Sequence, residues 1–214
     1  MIGPTKPSAA LLAAILLAPT EATAQQVWLN AAIQRDAQDF EDDVIPSRLD
    51  GSATGWTVAL SALALRHAVV AIEWSDGGTI ADTRTTTLEA NGRAVTITSA
   101  LSHQTRALSM LGGFSHGVGG RVRVAYLGGI AFTRVRREFT STAAGVLLVP
   151  PSDRTASAPP IEDRFATLAV GAEAMVRISG HVHALIGARL QRIELTADLT
   201  GWGLRTLFGG GWTF

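Results

Sequence analysis

The last stretch of the chain, from Trp202 to Phe214, limits the possible folds more than any other segment. Side chains of a β-strand alternate between its two faces, so this stretch separates into two stripes. One stripe is apolar, with aromatic residues at both ends, and comprises Trp202, Leu204, Thr206, Phe208, Gly210, Trp212 and Phe214. The other stripe is small and carries a single charge, Arg205. A strand this apolar needs a second protein layer over it or, in a membrane barrel, lipid.

The segment resembles the terminal strand of bacterial outer-membrane β-barrels, which ends in phenylalanine and has aromatic residues at alternate positions before it. Trp202, Phe208, Trp212 and Phe214 carry this resemblance. The resemblance implies that the outer-membrane assembly machinery recognises the strand. It also implies that these aromatic residues contribute to girdles at the membrane interfaces.

The amino terminus has the features of a secretory signal peptide. Lys6 supplies a positive charge, an apolar run extends from Ala9 to Ala18, and Ala22-Thr23-Ala24 matches a small-x-small cleavage site. The run is too short to span a bilayer as a helix, which favours cleavage over a retained anchor. We therefore expect a signal peptide at residues 1–24 and an outer-membrane barrel domain at residues 25–214.

Composition excludes several classes of protein. The chain has no cysteine, so neither a disulfide framework nor a lipid-modified cysteine supports it. Eighteen basic residues balance eighteen acidic ones, which argues against a nucleic-acid partner. Hydrophobic residues make up 47% of the chain, yet no apolar run after the signal peptide is long enough for a transmembrane helix. Apolar content spread in alternation is the other way to occupy a membrane.

Alternating runs predict an all-β fold, an eight-stranded antiparallel up-and-down transmembrane β-barrel. The predicted strands contain, in chain order, Val27, Trp56, Ala68, Leu108, Val122, Ala166, Val182 and Trp202. Their connections alternate between long and tight, as external loops and periplasmic turns do. Asn91-Gly92 is a favoured type I′ pair and predicts that the third and fourth strands extend past the membrane into a hairpin.

Two polar segments are predicted to be loops. The first predicted strand ends at Gln34, and the acidic stretch from Asp36 to Asp50 is expected to be exposed to water. Residues 134–163 contain Pro150-Pro151 and Pro159-Pro160, which predict a long loop without a core of its own.

Aromatic residues of the predicted outward faces fall into two girdles. The outer girdle comprises Trp56, Trp74, Phe132 and Trp202, and the inner girdle comprises Phe114, Trp212 and Phe214.

Charged residues occupy the predicted inward faces, namely Glu73, Arg123, Glu173, Arg177, Arg189 and Arg205. The interior of an eight-stranded barrel is just wide enough for side chains to fill it, and an isolated charge there is costly. These residues are therefore expected to pair with one another or with trapped water, Glu173 and Arg189 being near-diagonal partners. Small barrels of the OmpA/OmpX-like type, in the porin superfamily, are similar, which implies a structural polar plug. A small-solute path is the alternative.

No catalytic, cofactor-binding or metal site is predicted. His181-x-His183 has a spacing that suits a metal, but no third ligand is close in the sequence. Ser102-His103 and Ser115-His116 are adjacent pairs whose side chains point to opposite strand faces. We therefore expect a protein that is not an enzyme and has no cofactor.

The leading hypothesis is an integral outer-membrane protein of a Gram-negative cell envelope that stabilises the envelope or presents loops for adhesion. The expected partners are the lipid bilayer, lipopolysaccharide and the assembly machinery, and the sequence identifies no ligand for the loops. Three alternatives remain open, namely a small-solute pore, a lipid-modifying enzyme and a soluble lipocalin-like carrier. The carrier would place its charges outside and an apolar cup inside.

Overall fold

The structure is a computed structural model that describes residues 26–42, 49–64, 66–90, 93–145, 154–196 and 199–214. The predicted signal peptide at residues 1–24 and the Asn91-Gly92 turn lie outside the described residues. In the described ranges, no helix has the length and apolar character needed to cross a bilayer.

The described residues form antiparallel strands. They are β1 (Val27–Asp42), β2 (Leu49–Leu63), β3 (Ala68–Ala90), β4 (Arg93–Val118), β5 (Val122–Gly145), β6 (Arg154–Ser157), β7 (Ile161–Ser179), β8 (Val182–Thr196) and β9 (Leu199–Thr213). Eight of them form a ring in the order β4-β3-β2-β1-β9-β8-β7-β5, which the β4–β5 pairing closes. The short β6 lies outside this ring and pairs only with β5. The prediction of an eight-stranded up-and-down barrel is confirmed.

The first and last strands of the ring pair along their whole length. Trp28 lies opposite Thr213 at one end, Ile33 lies opposite Phe208, and Asp42 lies opposite Leu199 at the other end. Because β1 and β9 join, the ring has no free strand edge, and every strand has one face inside and one outside.

Burial alternates along the strands with a period of two residues. On β1, the buried side chains are Trp28, Asn30, Ala32, Gln34, Asp36 and Gln38, while the residues between them are exposed or half-buried. A cluster of buried apolar side chains lies inside the ring and includes Trp28, Val69, Leu111, Leu127, Met175, Leu185 and Leu207. Most of the buried polar side chains share the same interior.

The outer face of the barrel is an exposed apolar belt. Ile72, Met110 and Ile130 lie side by side on neighbouring strands. On β7, Leu168 is 74% exposed. The aromatic residues assigned to the girdles also face outward, namely Trp56, Trp74, Phe114, Phe132, Trp202, Trp212 and Phe214. Trp202 and Trp212 lie near opposite ends of β9, and the exposed Phe208 lies between them. A continuous apolar surface on a closed barrel is the surface that lipid covers.

The prediction that the chain leaves the barrel after Gln34 is wrong. Strand β1 continues to Asp42, and Asp36 is 4% exposed on the inward face. The alternation continues through polar residues because Asp36 and Gln38 find hydrogen-bonding partners on other strands inside the barrel.

The prediction of one long loop at residues 134–163 is also wrong. Strand β5 extends to Gly145, β6 occupies residues 154–157, and β7 begins at Ile161. Residues of β5 beyond Arg134 pair with β4 as far as Gly145 opposite Val95, so backbone bonding continues where the apolar pattern stops.

Strands β3 and β4 continue beyond the external end of the barrel as a paired sheet, which we call the external extension. Strands β3 and β4 remain paired from Asp76 opposite Arg106 to Ala90 opposite Arg93, which confirms the predicted extension. At roughly 3.3 Å per residue, this part measures on the order of 45 Å along the strands. It begins at a β-bulge between Asp76 and Thr79, where Gly78 adopts a φ of 75°.

A charge at the middle of the belt should destabilise the barrel in lipid. We expect Met110→Arg to lower the free energy of unfolding by about 2–4 kcal/mol, the cost of arginine at the bilayer midplane. Thr87→Arg, on the exposed sheet above the belt, is the matched control and should change it by less than about 0.5 kcal/mol. The measurement is urea unfolding of the refolded protein in lipid vesicles. Equal effects of the two variants would contradict a lipid-covered belt.

Candidate functional site

A buried ion-pair network crosses the interior of the barrel. Glu73 forms ion pairs with two arginines. It accepts a hydrogen bond from Arg205 Nη1 at 3.0 Å from Oε1, and Arg189 Nε lies 3.3 Å from Oε2. Arg205 Nε lies 3.1 Å from Asp36 Oδ1, and Arg189 Nη2 lies 2.5 Å from Glu173 Oε2. These five side chains come from β1, β3, β7, β8 and β9 and are all at least nine-tenths buried. The network therefore joins strands from both sides of the ring.

Four of the six predicted interior residues belong to this network, namely Glu73, Glu173, Arg189 and Arg205. The other two, Arg123 and Arg177, lie at the periplasmic mouth, where they contact neutral groups. Asp36 also belongs to the network, although its sequence context predicts a loop. Its even-numbered position, in phase with Asn30 and Gln34, was the available signal.

Uncharged polar side chains lie on both sides of the network along the barrel axis, with Gln34 and Thr57 toward the periplasmic side of Asp36 and Gln38 toward the external side. Gln34 Nε2 donates to Asp36 Oδ2 at 3.0 Å, and Thr57 Oγ1 donates to Gln34 Oε1. Gln38 Nε2 donates to Thr105 Oγ1 at 3.1 Å. Elsewhere in the interior, Gln191 Nε2 donates to Thr133 Oγ1 at 2.5 Å and to Thr167 Oγ1 at 3.1 Å.

Small residues make room for the charged groups. A Cβ atom at Gly171 would lie 2.6 Å from Arg189 Cδ, and one at Gly187 would lie 3.1 Å from Glu173 Cβ. The space left beside Arg189 and Arg205 is about 10 Å³, roughly enough for one water molecule. The network therefore fills the bore at this level.

The network contains three carboxyl groups and two guanidinium groups, so its arginines are the scarcer partners. Glu173 Oε1 is buried and has no hydrogen-bond partner among the described residues. Loss of an arginine would thus leave carboxylates without compensation in a medium that solvates them poorly.

The two histidines of His181-x-His183 do not form a shared site with each other. Among the described residues, no group of three His, Cys, Asp or Glu side chains could hold a metal ion. His181 stacks on Trp212 at 5.3 Å between ring centroids, while His183 Nε2 lies 2.7 Å from Asn30 Oδ1. The two imidazoles therefore contact different partners.

A histidine lies inside the external extension, above the outer girdle. His103 is five residues beyond Leu108 on β4, is 6% exposed, and places Nε2 2.9 Å from Gln38 Oε1. Burial, with a smaller contribution from the positive charge of Arg137, lowers the pKa of His103 to about 4. The imidazole is neutral in the folded extension at pH 7.

Arginines mark the outward face just beyond the belt. Five strands each carry an exposed arginine at this level, namely Arg35, Arg106, Arg134, Arg164 and Arg192. Three of them are cross-strand neighbours, because Arg106 lies opposite Arg134 and Arg134 lies opposite Arg164. We call Arg106, Arg134 and Arg164 the outer arginine row.

Two carboxylates flank the outer arginine row. Arg106 Nε lies 2.8 Å from Asp76 Oδ2. Glu162 accepts from Arg134, and its Oε2 lies 3.8 Å from Arg164 Nη2. The hydrogen bond from Arg134 holds the pKa of the Glu162 carboxyl below its usual range. Three cations with two anions leave the row with a surplus positive charge.

Comparison with solved structures finds small bacterial outer-membrane β-barrels. The outer membrane protein OprG from Pseudomonas aeruginosa matches with a TM-score of 0.53 and 9% identity, over 89% of this chain and 96% of OprG. The attachment invasion locus protein Ail of Yersinia pestis matches with a TM-score of 0.45 and 14% identity, over 88% of this chain and 99% of Ail. The sequence matches no protein-family model and no curated protein.

The chain has the fold of the small outer-membrane β-barrels. The fold resemblance expected from the terminal strand is thereby confirmed. A closed ring with a lipid-type belt outside and polar groups inside makes it an integral barrel of the bacterial outer membrane.

Removing an arginine from the network should be more harmful than removing its carboxylate partner. We expect Arg189→Met to lower the free energy of unfolding by about 3–5 kcal/mol, because Glu173 then loses the one charged partner that it has among the described residues. Glu173→Gln should cost less, and the double variant should be more stable than Arg189→Met alone. Urea unfolding in lipid vesicles completes this double-mutant cycle. Additive effects would show that the two groups do not interact.

Acidification should weaken the external extension through His103. Its pKa is 6.5 in an unfolded chain and about 4 in the fold, so protons bind preferentially to the unfolded form between these values. Stability is fully present above pH 6.5 and falls as the pH drops toward 4. From pH 7 to about pH 5, the local free energy of opening should fall by about 2 kcal/mol more than in His103→Gln. Amide hydrogen exchange of the outer half of β4 measures this difference, and parallel pH profiles would contradict it.

Proposed function

We propose that this protein is a non-enzymatic structural component of the outer membrane that holds lipopolysaccharide at its outer rim. Residues 1–24 direct its export, and the terminal strand ending in Trp212 and Phe214 is recognised by the assembly machinery. The proposal assigns no catalytic residue and no cofactor.

The outer arginine row is the observation that carries this proposal. Directly opposite residues of neighbouring strands have Cβ atoms about 4.5–5.5 Å apart, and like charges so placed destabilise a sheet unless an anion lies between them. Guanidinium groups bind phosphate with paired, charge-assisted hydrogen bonds. The phosphate groups of lipopolysaccharide lie at the membrane surface, which is also the level of Arg106, Arg134 and Arg164 just beyond the belt.

The filled interior supports a structural role over a solute path. Glu73 holds Arg189 and Arg205 together across the bore, and opening it would separate buried charges. A pore would need this contact to break during each passage.

The outer arginine row should determine how tightly the protein binds lipopolysaccharide. We expect Arg134→Gln with Arg164→Gln to weaken binding of purified lipopolysaccharide at least about tenfold, because two of three charge-assisted phosphate contacts are lost. Arg84→Gln with Arg154→Gln removes the same charge from the external sheet and should leave binding within about twofold. Binding of the refolded protein to immobilised lipopolysaccharide at physiological salt is the measurement. Equal losses in both double variants would show that only net charge matters.

The tall external sheet favours adhesion as a second candidate function. Its surface carries ladders of exposed threonines, with Thr85 facing Thr98, Thr87 facing Thr96, and Thr142 facing Thr155 at 3.3–3.4 Å between hydroxyl oxygens. The extension is therefore a paired sheet that offers a regular row of hydroxyl groups.

Shortening this sheet should reduce attachment without affecting the barrel. Replacing residues 80–103 with Asn-Gly closes the hairpin where Thr79 lies opposite Gln104, which leaves the membrane part intact. We expect bacteria displaying this variant to attach to epithelial monolayers at least about fivefold less than bacteria displaying the full chain, at equal surface expression. Unchanged attachment would remove the adhesion candidate.

A further inference from the structure

The periplasmic mouth of the barrel contains an open cavity of about 360 Å³. It is bounded by the start of β1, the β4–β5 turn and the β7–β8 turn, and its lining includes Gln26, Trp28, Arg121, Arg123, Arg177 and His183. This volume is within the range of small-molecule sites in proteins. Farther into the barrel, the buried ion-pair network around Glu73 fills the interior, so the cavity is closed at its inner end.

Three guanidinium groups line the cavity, and none of them pairs with an Asp or Glu side chain of the described residues. Arg123 Nη2 donates to Gln26 Oε1 at 2.9 Å, and Arg177 Nη2 donates to the Gly120 carbonyl at 2.7 Å. Arg121 is exposed in the β4–β5 turn. No Asp or Glu side chain occurs among the described residues that line this cavity.

Several other arginines of the described barrel have carboxylate partners. The side chains of Arg189 and Arg205 each bind carboxylates inside the bore, and those of Arg106, Arg134 and Arg137 do so at the external side. What distinguishes the periplasmic mouth is that three guanidinium groups without a carboxylate partner among the described residues line one cavity. Guanidinium is a donor only, so the complementary ligand must be rich in acceptors and negatively charged.

A buried indole adds a second feature to the wall. Trp28 is 2% exposed, and the guanidinium carbon of Arg123 lies 5.6 Å from its ring centroid. This cation–π contact orients the guanidinium without neutralising it. Nε1 of Trp28 has no acceptor among the described residues, so the wall holds a buried donor as well as free positive charge.

We propose that this cavity binds a multivalent oxyanion, carrying carboxylate or phosphate groups, from the periplasm. Arg121, Arg123 and Arg177 supply the charge and the donors, and Trp28 holds Arg123 in place. The site lies at the opposite end of the barrel from the outer arginine row, so it does not depend on the role proposed for that row.

The oxyanion groups could belong to a free small solute or to an acidic peptide that reaches the mouth. Citrate and tetraglutamate are probes for these two sources, because both carry several carboxylates. Binding of citrate with no gain for the peptide would assign the site to free solutes. Tighter binding of the peptide would assign it to a peptide ligand.

Isothermal titration of the full barrel, refolded in uncharged detergent micelles, tests the proposal. We expect saturable binding of one citrate or one peptide per barrel, weakened at least about tenfold by Arg123→Gln with Arg177→Gln. Arg123→Lys with Arg177→Lys keeps the charge and should restore most of the affinity. Arg134→Gln with Arg164→Gln, at the other end, should bind as the original chain does.

A variant in the exposed turn shows whether binding can be weakened without loss of the folded barrel. Arg121→Gln changes a side chain outside the barrel wall and should weaken binding several-fold while the boiling-sensitive gel mobility of the folded barrel is retained. The proposal is overturned if neither probe binds saturably, or if the mouth variants and the Arg134/Arg164 control lose affinity equally.

Discussion

The joining of β1 to β9 is the contact on which the other features of this protein depend. In a membrane every backbone donor and acceptor must be bonded within the protein, and the ring achieves this only when its first and last strands pair. Closure with eight strands also makes the interior too narrow for bulk water. Charged side chains that face inward must therefore neutralise one another, and Glu73 does so by binding Arg189 and Arg205 together.

The positive charge of the arginines is balanced differently at the two ends of the barrel. At the external rim, carboxylates such as Asp76 and Glu162 lie beside the outer arginine row and reduce its charge. At the periplasmic mouth, Arg123 and Arg177 have neutral partners and face a cavity. The interior network separates the two ends, so each rim has its own electrostatic environment and its own class of proposed ligand.

The strands were predictable from the sequence wherever apolar and polar residues alternate with clear contrast. The belt positions, the inward phase of Glu73 and Arg205, and the strand count all follow from a period of two. The predicted strands ended too early at Asp36 and beyond Arg134, where the real strands continue with polar residues on both faces and the contrast disappears. Backbone pairing maintains a strand there, and pairing between distant segments leaves no local mark on the sequence.

The sequence alone determined the class of fold and which face of each strand meets lipid, because both depend on local periodicity that each strand carries by itself. The partners inside the bore were decided only by the tertiary structure. Asp36 meets Arg205 because closure places β1 beside β9, and Glu73 reaches Arg189 across the interior from a strand that is not its neighbour. The same holds for Arg123 and Arg177, whose separation from the network depends on their height in the barrel. That height is set by the stagger of all eight strands together, which no single segment encodes.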